Sequence, residues 1–270
     1  MHVVAKTDIG LVRKRNEDFY VISTAHDLVV VCDGMGGHPG GDLASSMAAE
    51  EVQRVVEAGE DGAAAFDVAE LQPFAPLIHG VFAADRKLRA YGRRHTQYAG
   101  MGTTLVALQE RDGMLCIVHV GDSRVYCLKA DRLVQLTADH SVVAEMPELA
   151  RRSFAALRNI LTRALGVGEE DLAVDFTMVP PQPDETYVLC TDGLHNYVDD
   201  ERILEVLASK RSREDCLQTL IDDAKNGGGA DNITLALAWV TEGSAHPARR
   251  LSGAVLGRES GLQVQLRPGT

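Results

Sequence analysis

The sequence predicts an α+β fold in which antiparallel sheets carry their helices in pairs. Three observations point there. Short β-rich runs follow one another through tight turns, as in "GMLCIVHVG", "SRVYCLK" and "RLVQLT". Helical periodicity comes in pairs of segments rather than between every two strands, which disfavours a doubly wound parallel sheet. The 270 residues, 45% of them hydrophobic, suffice for a large core in one or two domains.

Along the chain, "HVVAKT", "FYVIST" and "LVVVCD" read as the first strands, and residues 39–58 and 66–95 as the first helix pair. "GTTLVALQE" begins a return to strands joined by turns such as Arg111-Asp112-Gly113. Residues 141–165, with Pro147, read as an irregular helical insertion. "AVDFTMV" and "ETYVLCTD" are strands, followed by helices near 199–208 and 212–225 and a closing strand, "NITLALAWV". From Gly243 onward glycines replace periodicity. The expectation is a body over 1–242 and a tail over 243–270 outside the core, with room for one short strand.

Lys and Arg total 27 against 39 Asp and Glu, a net charge of −12. A field of that sign argues against nucleic acid or an anionic membrane as partner, but not against a phosphorylated substrate met by local cations. The N-terminus has no apolar segment behind a basic start, so no signal peptide is expected, and no run approaches the ~20 apolar residues of a membrane helix. Five scattered cysteines (Cys32, Cys116, Cys127, Cys190, Cys216) suit core positions in a reducing compartment, and a cytoplasmic protein is expected. None starts a C-x2-C pair, and none has an Arg six positions later, the spacing of a cysteine-dependent phosphatase loop. The histidines form no H-E-x-x-H, and the glycines of "DGMGGHPGG" are not a nucleotide P-loop.

Acidic residues interrupt or flank apolar strands at four places. Asp33 closes "LVVVCD", Asp192 closes "TYVLCTD", Asp122 lies between two strands in "VHVGDSRVY", and Asp231 opens "NITLALAW". Each alone reads as a turn residue. As a set they read differently, because neither Asp33-Gly34 nor Asp192-Gly193 is followed by the second strand of a hairpin; both lead into helical sequence. Carboxylates converging at strand ends repel one another unless a cation neutralises them, and oxygen ligands without His or Cys suit Mg²⁺ or Mn²⁺. The glycines after Asp33 would let main-chain carbonyls approach such an ion. In "GLVRKRNEDFY", Arg13 is a planar donor for phosphate oxygens, and Glu17 and Asp18 add acidic groups; the bland alternative is a solvated charged run.

The ordered motifs "TDIGLVRKRNED", "VVCDGMGGHPGGDLAS", "GTTLVAL", "VHVGDSRVY", "LTADHS", "LTRALG", "LCTDGL" and "ADNITLALA" resemble the metal-dependent Ser/Thr protein phosphatases of type 2C, particularly the compact bacterial members, over about residues 1–240. The resemblance implies a four-layer α-β-β-α sandwich with two antiparallel sheets and a centre of two Mn²⁺ or Mg²⁺ ions at one edge, with a third, weaker ion in bacterial relatives. It assigns Asp33 as the carboxylate bridging two metals, the Gly34 carbonyl as a ligand of one, and Asp192 and Asp231 as ligands of the other. Asp122 joins Asp192 at the third ion. Glu17 and Asp18 orient metal-bound waters, Arg13 binds phosphate, and residues 141–160 form a flap that influences substrate choice. It further implies phosphorylated proteins as partners: the targets of a cognate Ser/Thr kinase, and the kinase itself.

The chain departs from the family where animal enzymes carry a His proposed as general acid. Here that position is Met35, and a metal-bound water is expected to protonate the leaving alkoxide; His38 is not given the role. Asp42 replaces a more usual Glu, and the flap segment "EMPELARRSFAALRN" is short and unusual in composition. Rival readings are a phosphatase of a stress-response anti-sigma antagonist, a silent phosphoprotein-binding relative, and a metal-dependent nuclease. The first lacks length for a sensory domain, the second would show a lost ligand Asp, and the third lacks a basic groove.

Overall fold

The structure is a computed structural model and describes residues 1–35, 40–60, 69–146, 157, 159–168, 172–209, 211–241 and 262–266. Eleven strands in these residues form two sheets with all pairings antiparallel. The larger holds β2 (Asp18–Ser23), β3 (Leu28–Asp33), β4 (Leu105–Arg111), β5 (Met114–Val120), β8 (Val174–Val179) and β11 (Leu262–Leu266), in the order β11-β8-β5-β4-β3-β2. The smaller holds β1 (His2–Asp8), β6 (Arg124–Lys129), β7 (Arg132–Gln135), β9 (Thr186–Cys190) and β10 (Ile233–Trp239), in the order β1-β10-β9-β6-β7.

Alternation along the strands explains how four layers assemble. Val30 and Cys32 of β3 pack with Ala48 and Val52 of α1 (Gly41–Ala58) and Leu77 and Val81 of α2 (Ala75–Arg94), while Val29 and Val31 face the other sheet. There they join Val106, Leu108 and Ile117 against Val125, Tyr187, Leu189 and Ala236 of the smaller sheet. The outer face of the smaller sheet, with Val188, Leu235 and Leu237, is covered by Ile203 of α5 (Asp200–Ala208) and Leu217, Leu220 and Ile221 of α6 (Arg213–Asn226). Both sheets are inner layers, so "LVVVC" is apolar on both faces although its neighbours are antiparallel. The predicted sandwich is the observed one. All five cysteines are buried and unpaired, as expected of small core residues.

Some boundaries differ. The second helix runs over 75–94 behind a 3₁₀ turn at 69–74, because Pro73 and Pro76 suit the entry of a helix and not its interior. The insertion begins with one helical turn, α3 (Val142–Glu145), whose first turn is capped by the Ser141 hydroxyl accepting from the Ala144 amide. Residues 147–156, including Pro147, lie outside the described residues, as do 36–39 with His38. Of the tail, 262–266 form an edge strand on β8, and 242–261 and 267–270 lie outside the described residues.

Leu189 sits fully buried between the sheets. Leu189→Ala should lower the unfolding free energy by about 2–5 kcal/mol in urea denaturation, the usual cost of such a cavity; a loss below about 1 kcal/mol would mean the sheets do not interlock there.

Candidate active site

The turns that carry Asp33, Asp122, Asp192 and Asp231 all reach one end of the sandwich. Asp33 is the last residue of β3. Asp122 lies in the short link where the chain leaves the larger sheet at β5 and enters the smaller at β6. Asp192 opens the one-turn helix α4 (Asp192–His195) just beyond β9, and Asp231 stands just before β10. The four line one cavity of about 400 Å³ together with Arg13, Glu17, Gly34, Met35, Thr104, Asn159 and Leu161. Asp18 starts β2 directly opposite Asp33 in the ladder and is buried beneath the cavity. The sequence-predicted residues therefore meet in one place.

Close backbone approach explains the two Asp-Gly pairs. A Cβ at Gly34 would lie 2.2 Å from the Gly41 carbonyl oxygen and 2.6 Å from that of Glu17. A Cβ at Gly193 would lie 1.8 Å from the Asn232 carbonyl oxygen. Neither position takes a side chain without moving a neighbouring segment. Asp33 is held from behind: its amide donates to Thr104 Oγ1 at 3.0 Å, and its carbonyl accepts from Thr103 Oγ1 at 2.8 Å and the Thr104 amide at 2.9 Å.

Asn232 is one residue that sequence reasoning missed. Its Nδ2 donates to the carbonyls of Ile9 and Arg15, and its Oδ1 accepts from the Glu17 amide, so one amide side chain pins the whole Arg13–Glu17 loop beside Asp231. The signal was present as an uncharged polar residue between Asp231 and an apolar strand. Asn196 was missed as well; its Nδ2 donates to Asp192 Oδ2 at 3.0 Å.

Burial and mutual repulsion dominate the electrostatics. Removal from water, then the Asp192 and Asp231 charges, push Asp18 up to about 7, although Thr191 Oγ1 donates to its Oδ2 at 2.9 Å. Asp122 is raised to about 7 by burial and then by Asp192 and Asp139. Asp192 is raised to about 6 by burial and Asp231, with hydrogen bonding to Asp33 and Asn196 pulling the other way. Asp33 lies well above the carboxylate range through burial and the charges of Asp18, Asp192, Asp122 and Asp231. Glu17 is raised by burial and Asp42. Arg13 is the cation lining this cavity, and its Nη2 donates to Asp231 Oδ2 at 2.8 Å.

This donor set fits hard divalent cations. Its side-chain ligands are all oxygen, their crowding is relieved by positive charge, and Asp18 Oδ1 is buried with no hydrogen-bond partner. A second cluster, His119, His140 and Asp175, has donor atoms within 4.8 Å of one another. It fits a metal less well. The Gly121 amide donates to His140 Nδ1, which leaves the ring proton on Nε2 facing Asp175, and Arg163 Nη1 already lies 2.9 Å from Asp175 Oδ1.

A family model described as protein phosphatase 2C matches residues 13–224. The chain belongs to the protein phosphatase 2C family. The serine/threonine phosphatase stp of Listeria innocua is 38% identical over 245 residues, spanning 88% of this chain and 95% of that protein. The crystal structure of the Mycobacterium tuberculosis serine/threonine phosphatase PstP/Ppp superposes with a TM-score of 0.76 at 32% identity, covering 89% of this chain and 99% of that one. The PstP catalytic domain in complex with two manganese ions matches equally, with a TM-score of 0.76, 32% identity and coverage of 89% and 98%. The chain is a protein-serine/threonine phosphatase, and a metal-dependent one, as its family is.

The raised carboxyls fix how the metal-free phosphatase responds to pH. Because their folded values lie above the ordinary ~4, their contribution to stability is present below that pH and is lost as pH rises through about 6 to 7. Thermal melts in chelator should show a midpoint that falls from pH 5 to pH 8. Asp33→Asn, which removes the most crowded charge, should raise the midpoint at pH 8; a flat profile, or a destabilised Asp33→Asn, would contradict the repulsion.

Proposed function

We propose that this phosphatase hydrolyses phosphoserine and phosphothreonine monoesters on proteins with two Mn²⁺ or Mg²⁺ ions held in the Asp33 cavity. Asp33 would be shared by both ions, the Gly34 carbonyl would serve one, and Asp192 and Asp231 the other, with Asp122 and Asp192 available to a third, weaker ion. The observation that carries the reading is a single cavity lined by four aspartates and Glu17, with Asp18 beneath, and one arginine as its cation. When bound, the ions supply a water nucleophile at neutral pH and offset charge on the phosphoryl group.

The chain's own residues do the positioning. Arg13 lines the cavity with its Nη2 on Asp231, and its guanidinium offers further N–H donors to a phosphoryl oxygen. Glu17, on the cavity wall, accepts hydrogen bonds from water entering the site and so orients it, and the Oδ1 of Asp18, enclosed behind Asp33 without a partner, would act on that water only through a buried one. Asn232 and the Thr103-Thr104 pair keep Arg13, Glu17 and Asp33 at fixed separations before substrate arrives. Met35, which lines the cavity, carries no proton to give, so the leaving alkoxide takes its proton from solvent in the site rather than from residue 35. Direct attack by water needs no covalent phosphoenzyme, and the buried cysteines have no part in it.

All of these residues fall within 1–242, the proposed catalytic unit. The cell's partner reaction is then a Ser/Thr kinase in the cytoplasm, whose targets, and whose own phosphorylated residues, are the substrates. No helix of the described residues is long and apolar enough to cross a membrane.

Asp33→Ala or Asp192→Ala should reduce hydrolysis of a phosphothreonine peptide by roughly 10³-fold or more while circular dichroism is unchanged, as expected when a metal ligand is lost; turnover within tenfold of the parent would refute the ligand assignment. Activity should require added Mn²⁺ or Mg²⁺ and vanish in EDTA. Arg13→Ala should cost on the order of 10- to 100-fold in kcat/KM, mostly through KM, with metal affinity retained; unchanged kinetics would remove Arg13 from the site.

A further inference from the structure

Isolated apolar residues on a surface are ordinary, but their placement here is not scattered. Among the described residues, the large hydrophobic side chains that stand exposed are Ile9 (40%), Leu11 (62%), Val12 (65%) and Ile160 (50%). The first three lead directly into Arg13, which lines the catalytic cavity, and the fourth stands between Asn159 and Leu161, which line it too. Val12 adjoins Arg13 in the chain, with Leu11 and Ile9 before it, and Ile160 is flanked by two lining residues, so all four stand on the two segments that bring these residues to the cavity. Met35 and Leu161 add apolar surface to the cavity lining itself.

These side chains are presented, not merely left over. The Leu11 amide donates to the Gly229 carbonyl at 2.7 Å, Asn232 Nδ2 holds the Ile9 and Arg15 carbonyls at 2.9 Å each, and Asn16 Nδ2 holds Thr7 Oγ1 at 2.7 Å. On the other segment, the Val142 amide donates to the Ile160 carbonyl at 2.8 Å, and Ser141 bridges Leu161. Both segments are therefore tied down at the backbone on either side of Val12 and at Ile160. An apolar surface held rigid in advance binds without a large ordering cost.

We propose that this rim docks aliphatic or aromatic side chains flanking the phosphorylated residue in an extended stretch of the substrate protein. The proposal rests on the phosphatase reading above and adds a sequence preference to it. In an extended peptide, successive side chains point to opposite faces. With the phosphorylated side chain directed into the cavity, the residues two before and two after it face the rim, and those one removed face solvent. The rim therefore selects at positions −2 and +2. A second copy of this chain is the poorer occupant, since it would cover the cavity and bring one charge of −12 against another.

The test is kcat/KM, with Mn²⁺, on phosphothreonine peptides carrying Leu or Ser at both −2 and +2, with Leu moved to −1 and +1 as a third peptide and an aryl phosphate as reference. The parent protein should favour Leu at ±2 by roughly tenfold, the size expected from burying about 50 Å² of apolar surface. Leu11→Ser with Val12→Ser, and separately Ile160→Ser, should erase most of that preference and leave aryl phosphate turnover unchanged, which also reports that both variants fold. A parent indifferent to the flanking residues, an equal gain from Leu at ±1, or variants that keep the preference would overturn the proposal. So would a change of oligomeric state in light scattering with the preference intact, which would assign the rim to a second copy. Absence of turnover on every phosphoester would instead strike the phosphatase reading itself, and the rim with it.

Discussion

Like charges forced together in a poorly hydrated place are the constraint on which this structure turns. Burial, their mutual repulsion and the neighbouring charge of Asp231 raise the carboxyls of Asp18, Asp33, Asp122 and Asp192 at one end of the sandwich, where Arg13 alone among the cavity-lining residues opposes them. An arrangement of that kind costs stability unless a ligand relieves it. Much of the surrounding detail resists its dispersal. The Thr103-Thr104 pair grips Asp33 from one sheet, and the amide of Asn232 ties the N-terminal loop to the other. Such clamps make sense where function requires the charges to stay.

The architecture supplies the convergence cheaply. A strand end in a sheet is a fixed point, and two stacked sheets offer several fixed points within reach of one another. The link from β5 to β6 crosses between sheets, so Asp122 stands over the junction, while Asp33 comes from the larger sheet and Asp192 and Asp231 from the smaller. A ligand that binds all of them joins the two halves of the molecule, so occupation of the site and cohesion of the sandwich are coupled.

The strands, the pairing of helices and the four aspartates were legible in the sequence because each leaves a local pattern. Alternation and continuous apolar runs mark strands, and Asp33-Gly34 without a following hairpin strand marks a site. What was not legible depends on distant partners. Asn232 looks like an ordinary polar residue beside a strand; only the fold reveals that its amide reaches Ile9, Arg15 and Glu17. The start of α2 at Ala75 was obscured by an alanine-rich stretch that mimics helical periodicity ahead of Pro73 and Pro76. The exposed rim of Leu11, Val12 and Ile160 gave no signal, because apolar residues in a sequence read first as core.

Family membership makes the chain a metal-dependent phosphatase, and the cavity offers a cluster of aspartates whose chemistry suits hard cations. The most direct measurement is an anomalous-difference map from crystals grown with Mn²⁺. The account predicts peaks inside the cavity, in contact with Asp33, Asp192 and Asp231 and beside the Gly34 carbonyl. An empty cavity at saturating Mn²⁺, or density only at His119, His140 and Asp175, would contradict it.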